Sequence, residues 1–223
     1  AENSLTLNNT FSWTRGTLTG AGTTFVNGGM RVVNAAVTLS GHRLILGGFS
    51  TAYSSGHQVS LEYASRIEIL SGATYEYAGD GTIFGGSTGS VDNDGTIKKT
   101  SGTGTATIDT AFDNSGLVHV QSGTLAISRG NTSVGNYLGD PGTTLRFAGG
   151  IHNFLAGSSI VGDQITFTSG VSGNKTIKGT YQAASGTSIT GSEVTFDVSA
   201  HVVDYGDVLT ITGGTLNFNT PFG

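Results

Sequence analysis

The chain has 223 residues, of which 37 are glycine and two are proline, and it contains no cysteine. A net charge of −5, with basic residues scattered singly apart from Lys98-Lys99, argues against nucleic-acid binding, because phosphate neutralisation needs a dense basic surface. No apolar run approaches the roughly 18 residues of a membrane span. Without cysteine, neither a disulfide framework nor a CxxC metal site can form.

Threonine, serine, asparagine and glycine separate short groups of valine, isoleucine, leucine and phenylalanine along the chain. This pattern indicates many short strands and turns and no long amphipathic helix. A nine-residue phrase, [Thr/Ser]-[Leu/Ile]-x-Gly-x-x-x-x-Phe, recurs at Thr17–Phe25, Ser159–Phe167, Ser188–Phe196 and Thr210–Phe218. Its second, seventh and ninth positions are mostly apolar and would share one buried face. Each copy therefore predicts a short strand, a glycine turn and a second short strand within a stacked array.

A second repeat predicts the length of one coil. Val91–Thr107 and Phe112–Ser128 align without gaps, so that Asn93 matches Asn114. The offset, about 21 residues, is typical of one turn of a parallel β-solenoid. In such a fold Asn93 and Asn114 would stack as a ladder in equivalent turns. The expected fold is all-β, a single right-handed parallel β-helix spanning residues 1–223, with a β-sandwich as the alternative.

The repeat is regular in some parts of the chain and interrupted in others, and this predicts where strands and loops lie. Strands are expected at Arg31–Val33, Val37–Leu39 and Arg43–Leu46, and Val59–Tyr77 forms the most charged and aromatic stretch. Residues 129–142 (RGNTSVGNYLGDPG) break the repeat and end in Asp-Pro-Gly, which predicts a loop projecting from the rod. The apolar, strand-like C-terminal sequence GGTLNFNTPFG predicts part of a longer array, or ends that contact another subunit.

Three segments resemble the glycine/threonine repeats of large secreted bacterial surface proteins. They are SWTRGTLTGAGTTFVNGG, VDNDGTIKKTSGTGTATI and FDNSGLVHVQSGTLAIS. The proteins that they resemble include autotransporter-passenger and haemagglutinin-like adhesins. The resemblance implies a right-handed parallel β-helix, a location outside the cell or on its surface, and a role as a stalk or adhesive surface.

One group of aromatic and acidic residues is the candidate binding site. Tyrosine rings stack on sugar faces and carboxylates accept hydrogen bonds from hydroxyl groups, so such a group along a solenoid would fit a carbohydrate polymer. The alternative is that one tyrosine of each pair packs inward. The group consists of Glu62, Tyr63, Glu68, Tyr75, Glu76, Tyr77 and Asp80.

Other acidic residues give weaker indications of chemistry. Asp92-Asn93-Asp94 could bind calcium, but the GGxGxD series of calcium-binding repeats is absent and Asp94 is replaced by Ser115 in the next coil. An Asx-rich turn explains this motif better. We therefore predict no metal and no cofactor.

A catalytic function would need acids and a basic residue together in one groove. Asp204 and Asp207 could form a carboxylate pair for glycoside hydrolysis. Arg43 and Arg66 could stack in adjacent coils, but no matching ladder of acids is evident beside them. No catalytic residue is predicted.

Threonine pairs of the form Thr-x-Thr could form a flat, ice-binding array if they stacked in consecutive coils. They are widely separated along the chain, which argues against such an array. The pairs are Thr17/Thr19, Thr105/Thr107, Thr166/Thr168 and Thr210/Thr212.

The predicted function is that of a structural and adhesive segment of a secreted or cell-surface bacterial protein. Its expected partners are carbohydrate, or neighbouring copies that meet through the solenoid ends. The alternatives are a β-helix polysaccharide lyase or hydrolase and a self-assembling fibre or sheath subunit.

Overall fold

The computed structural model describes residues 3–33, 36–53, 56–169 and 173–219, so the last four residues of the C-terminal sequence singled out above lie outside the described residues. Within these ranges it contains 27 strands and no helix. The strands pair in parallel, each with its equivalents one coil earlier and one coil later, except that the strands of the first and last described coils pair on one side only. The predicted parallel β-solenoid is confirmed, with about 10 turns of roughly 21 residues.

The coils build three walls, named A, B and C in the order in which the chain passes through them, and strands are numbered in chain order. Wall A comprises β1 (Ser4–Leu7), β4 (Thr23–Val26), β7 (Arg43–Leu46), β10 (Arg66–Ile69), β13 (Ser90–Asn93), the ends of β15 (Thr105–Asn114) and β17 (Thr124–Ser133), β20 (Gly150–Phe154), β22 (Asn174–Ile177), β24 (Glu193–Phe196) and β27 (Thr215–Phe218).

Wall B comprises β2 (Phe11–Trp13), β5 (Met30–Val33), β8 (Phe49–Tyr53), β11 (Thr74–Ala78), β14 (Thr96–Ser101), β16 (Leu117–Val120), β18 (Asn136–Gly139), the first halves of β21 (Ser159–Thr168) and β23 (Thr180–Thr190), and β25 (His201–Tyr205). Wall C comprises β3 (Gly16–Thr19), β6 (Ala36–Ser40), β9 (Gln58–Glu62), β12 (Thr82–Phe84), the first halves of β15 and β17, β19 (Thr144–Phe147), the second halves of β21 and β23, and β26 (Val208–Thr212).

The core is a column of apolar side chains enclosed by the three walls. Alternate residues of each strand point inward, as the two-residue period of a strand requires. In wall A, Leu44 pairs with Ile67 and Ile67 with Val91, and all three side chains are buried. Complete burial of such a side chain contributes about 1.5–3 kcal/mol. The core is therefore continuous from coil to coil.

The predicted asparagine ladder is present inside wall A. Asn93 and Asn114 occupy paired positions and are both buried. The Asn93 Nδ2 donates to Asn114 Oδ1 at 2.7 Å and to the Leu117 carbonyl at 3.1 Å. At the turn that follows, Gly116 lies so close to the backbone of the preceding coil that a Cβ atom would overlap it. This turn therefore accepts no side chain at that position.

The projecting loop predicted at 129–142 is not formed, and this expectation is corrected. Strand β17 continues through Ser133, and β18 spans Asn136–Gly139. Both strands pair with the coils on either side. The sequence of this segment resembles a loop because it is rich in polar residues, most of which point outward. Ser133 and Tyr137 point inward and are buried.

Two ionisable side chains are buried side by side in wall A. His152 pairs with Lys175, and both residues are buried. The His152 Nε2–H donates to the carbonyls of Ala148 and Gly149, both at 3.1 Å. Burial, with the charge of Lys175 acting in the same direction, lowers the pKa of His152 to about 4. The imidazole is therefore neutral in the folded protein at neutral pH.

The asparagine ladder gives a first prediction. Asn114→Ala removes the acceptor of the buried Asn93 amide, so the free energy of unfolding should fall by about 1–3 kcal/mol, as measured by denaturant titration. Asn136→Ala is the matched control, because Asn136 is exposed and should change stability by less than about 0.5 kcal/mol. Equal effects of the two substitutions would contradict the ladder.

Burial of His152 gives a prediction about pH. Its folded-state pKa of about 4 lies below the ordinary value of 6.5, so the unfolded chain binds the proton more readily. Stability from this group is complete above pH 6.5 and is lost as the pH falls towards 4, at a cost of about 3 kcal/mol. His152→Gln should flatten this part of the curve of unfolding free energy against pH. The exposed-site control Asn136→Ala should leave the slope as in the wild type.

Candidate functional site

The seven residues predicted to line a carbohydrate groove do not share one surface. Tyr75 and Tyr77 are both 0% exposed, and their rings meet edge to face with centroids 5.1 Å apart. In β11 they alternate with Glu76, which points outward. The strand alternates between inner and outer positions, and both tyrosines take its inner face. They belong to the core and present no ring to a ligand, which corrects the predicted groove.

Two of the predicted carboxylates are engaged elsewhere. Glu76, on the outer face of wall B, accepts hydrogen bonds from Thr100 Oγ1 at 2.8 Å and Thr51 Oγ1 at 3.3 Å. Asp80 follows β11 at the corner between walls B and C. Its Oδ1 lies 2.7 Å from Nζ of Lys99, whose side chain is completely buried. This pair compensates a buried charge and is a structural feature.

The remaining three predicted residues lie on the segment in which wall C turns into wall A. Glu62 ends β9, Tyr63 lies in the turn, and Glu68 is on the outer face of β10. Tyr63 is 77% exposed and is the most exposed large apolar side chain among the described residues. We call this surface the Tyr63 corner. It consists of residues 62–65 together with His42, Arg43, Arg66 and Glu68.

The turn that carries Tyr63 is strained. The Ser65 amide donates to the Glu62 carbonyl at 3.2 Å, which closes a four-residue turn. Tyr63 and Ala64 have φ values of 52° and 59°, the combination of a type I′ turn, which normally favours Asn-Gly. Among the described residues, no other non-glycine residue has a positive φ. The Ser65 hydroxyl anchors the turn to the Leu39 carbonyl at 2.9 Å.

A ladder of arginines and carboxylates runs along the outer face of wall A beside this corner. Arg43 Nε and Nη2 donate to the two Glu68 carboxylate oxygens at 2.5 and 2.6 Å. Arg66 forms ion pairs with Glu68, at 2.9 Å, and with Asp92. The register continues the acidic row from Glu68 to Asp92 and Asp113.

The expectation that no ladder of acids accompanies Arg43 and Arg66 is therefore wrong. Glu68 follows Arg66 at the next-but-one position, so the period of a strand places both side chains on one face. In wall A, Arg43 pairs with Arg66 and Arg66 pairs with Ser90, and these two coils differ in length. Because the two coils differ in length, the alignment of these strands is not visible as a constant repeat in the sequence. The i, i+2 spacing of Arg66 and Glu68 could nevertheless have indicated that the two side chains share a face.

Asp92 lies between Glu68 and Asp113 in the ladder. Burial raises its pKa above the ordinary 3.8, and the carboxylates of Asp113 and Glu68 act in the same direction. The neighbouring Arg66 opposes this rise. Asp92 therefore takes up a proton more readily than an exposed aspartate does.

The Asp204 and Asp207 pair lies apart from this ladder, near the end of wall B. Asp204 is in β25, and its Oδ1 accepts a hydrogen bond from the Gly206 amide at 3.0 Å. Asp207 follows that glycine, and its amide donates to the Ala184 carbonyl at 3.2 Å. Both residues are exposed. The hydrogen bond to the Gly206 amide gives Asp204 a local role in the turn that follows β25.

A shallow depression of about 310 Å³ lies in the Tyr63 corner. Its wall includes His42, a residue that the sequence did not single out for this surface. The His42 Nδ1 lies 2.8 Å from the Gly20 carbonyl and Nε2 lies 3.0 Å from Thr24 Oγ1, so the ring is held by both nitrogens. The depression is lined by Ala21, Gly22, Thr23, Gly41, His42, Arg43, Ala64 and Arg66.

Two of the threonine pairs align along wall C. The register of wall C places Thr166/Thr168 and Thr210/Thr212 in one column but two coils apart, so, as expected, these Thr-x-Thr pairs do not occupy consecutive coils. The two coils that separate these pairs have equal length, so the pairs align. The rung between them contains a serine and therefore does not match the Thr-x-Thr pattern. The rungs are Thr166/Thr168, Ser188/Thr190 and Thr210/Thr212.

Within the described ranges, no group of three or more His, Cys, Asp or Glu side chains is arranged to hold a metal ion. The same part of the chain has no helix that is long and apolar enough to cross a membrane. Comparison with protein-family models, curated proteins and solved structures finds no match to this chain. The site must therefore be interpreted from its own chemistry.

The strained turn predicts that the same substitution, alanine to glycine, changes the free energy of unfolding in opposite directions at Ala64 and at Ala78. Ala64→Gly should raise the free energy of unfolding by about 0.5–1 kcal/mol, because relief of about 1–2 kcal/mol of left-handed strain exceeds the entropic cost of glycine. Ala78→Gly, in the extended strand β11, should lower it by about 0.5–1 kcal/mol. Thermal unfolding of both variants checks this, and a destabilised Ala64→Gly would contradict the strained turn.

Proposed function

We propose that this chain is a rigid structural and adhesive segment of a secreted or cell-surface bacterial protein. The observation that supports this most directly is the unbroken pairing of wall A from Ser4 in β1 to Phe218 in β27. Every inner coil is hydrogen-bonded on both sides, so the coils cannot move independently without breaking backbone bonds. At about 4.8 Å per coil, such a stack of about ten coils forms a spacer of about 45–50 Å.

The outer walls supply the adhesive part of the proposal. They carry hydroxyl groups on wall C, arginine–carboxylate pairs on wall A and an exposed aromatic ring at the Tyr63 corner. Hydroxyl-rich polymers such as polysaccharides bind to surfaces of this composition through aromatic stacking and many polar contacts. The resemblance to the repeats of bacterial adhesins supports the same function.

The proposal is tested by locating the protein. Antibodies raised against the purified chain should label intact, unpermeabilised cells of the bacterium that encodes it, or detect the protein in the culture medium. Antibodies to a cytoplasmic enzyme provide the control for cell integrity. Labelling that requires lysis of the cells would contradict the proposal.

A polysaccharide hydrolase is the second candidate, and the acidic ladder favours it. Asp92, with its raised pKa, could act as a general acid, and Asp113 lies one coil away at the paired position. Asp113 accepts hydrogen bonds from the Thr132 amide at 3.2 Å and Asn131 Nδ2 at 3.3 Å, which keep it oriented. Release of reducing ends from a polysaccharide by the wild type, abolished in Asp92→Asn, would establish this candidate. The structural proposal expects no release by either protein.

A further inference from the structure

We propose that the Tyr63 corner binds a pyranose unit of a neutral polysaccharide. This inference rests on the proposed adhesive function and assigns that function to one surface and one class of ligand. The arguments are the availability of the Tyr63 ring, the strain of its turn, the hydrogen-bonding groups around it and the local charge.

The Tyr63 ring is free to stack on a sugar. It is 77% exposed and makes no ring or cation contact with another described side chain. Three other exposed aromatics lie near this end of the solenoid: Phe84 is 46% exposed, whereas Phe49 and Tyr53 are partly covered by Lys98 Nζ and Arg31 Cζ, each 5.0 Å from the ring centroid. Among these four rings, Tyr63, at 77% exposed, offers the most accessible apolar face to the C–H groups of a pyranose.

The backbone strain at this turn supports a binding function. A non-glycine residue in the left-handed region costs about 1–3 kcal/mol, and Tyr63 and Ala64 both occupy that region. Asn-Gly would form the same turn with less strain. The chain instead places a large ring outward on a turn that the Ser65 hydroxyl fixes through two carbonyls. Strain of this kind is characteristic of functional sites, where it fixes the direction of a side chain before binding.

The groups around the ring match the hydroxyls of a sugar. The Arg66 side chain is 50% exposed, so the edges of its guanidinium that face solvent can donate hydrogen bonds. Its ion pair with Glu68 holds it in place, and Arg43 binds the same carboxylate from the preceding coil. Glu62 is exposed at the start of the turn and can accept hydrogen bonds. Donors and acceptors thus lie on the same corner as the Tyr63 ring, and Arg43, Ala64 and Arg66 line the depression of about 310 Å³ there.

The local charge favours a neutral polymer over an acidic one. Arg43 and Arg66 are balanced by Glu68 and Asp92, with which they form ion pairs, and Glu62 adds a further negative charge. These described residues leave no surplus of positive charge at the corner. A polymer that carries carboxylate or sulfate groups would meet this net negative charge, whereas a neutral polymer would not.

The test is binding of the wild type and three variants to soluble polysaccharides by affinity electrophoresis. The probes are galactomannan, xyloglucan and dextran, which are neutral, and polygalacturonate, which is acidic. Tyr63→Asn removes the ring but suits the type I′ turn, so the protein should stay folded. Ala64→Gly relaxes the same turn and keeps the ring. Tyr53→Asn removes an exposed tyrosine from wall B and is the matched control.

The proposal predicts that at least one neutral polymer binds the wild type and that Tyr63→Asn weakens this binding by about tenfold or more. Ala64→Gly, which keeps the ring but relaxes the turn that directs it, should weaken binding by less than Tyr63→Asn does, and Tyr53→Asn should bind as the wild type does. Thermal unfolding must show that Tyr63→Asn is at least as stable as the wild type. If it is not, Tyr63→Gly, which also suits a positive φ, replaces it with the same expected loss of binding.

Three results would overturn the proposal: binding that loss of the Tyr63 ring leaves unchanged, binding to polygalacturonate alone, or no binding to any of the neutral polymers. The first would place carbohydrate contact elsewhere on the solenoid and leave the adhesive function standing. Surface labelling of intact cells tests the location of the protein independently of all three results.

Discussion

Backbone hydrogen bonding between successive coils, in parallel and in register, is the constraint on which the rest of this structure depends. A strand that slipped by one residue would turn its apolar side chains outward and its polar ones inward. The core side chains Leu44, Ile67 and Val91 stay in one column because their strands keep register. The same register aligns the outward side chains, so the Arg43, Arg66 and Glu68 contacts follow from it directly.

Because the strands of the walls must stay in register, the coils differ in length mainly at their corners. The coil that joins the paired positions Ser4 and Thr23 of wall A is shorter than the one that joins Arg66 and Ser90. Because the walls accept no extra residue without a bulge, the difference is taken up largely where the chain turns. The corners therefore differ from coil to coil, and one of them holds the strained turn at Tyr63. A repetitive scaffold thereby presents a surface that does not repeat.

The sequence predicts the features of this fold that repeat with a constant spacing. The alignment of Asn93 with Asn114 indicates both the coil length and the ladder, and the structure contains both. Of the candidate site, the sequence identifies Tyr63 and Glu68 through the concentration of aromatic and acidic residues. It does not place Arg43, Arg66 and Asp92 beside these two residues, because the coils differ in length and the register of the strands is therefore not visible in the sequence.

The orientation of Tyr75 and Tyr77 could not be deduced from alternation, which assigns the two tyrosines to one face without saying which face is inside. Their neighbours in wall B decide it, since Tyr75 pairs with the buried Ile97 and Tyr77 with the buried Lys99. The strained turn at Tyr63 and Ala64 was equally inaccessible, because neither residue type favours a positive φ. It results from the closure of the coil around Ser65.

The most direct test of this account is amide hydrogen exchange, measured residue by residue by NMR. If pairing between coils holds the molecule together, the amides of the inner coils, such as those of Ile67, Val118 and Ile165, should be strongly protected to similar degrees. The amides of Tyr63 and Ala64 should exchange rapidly, since the turn leaves them exposed. Wall amides that exchange as fast as those of the turn, or protection confined to a few isolated coils, would contradict a continuous parallel solenoid.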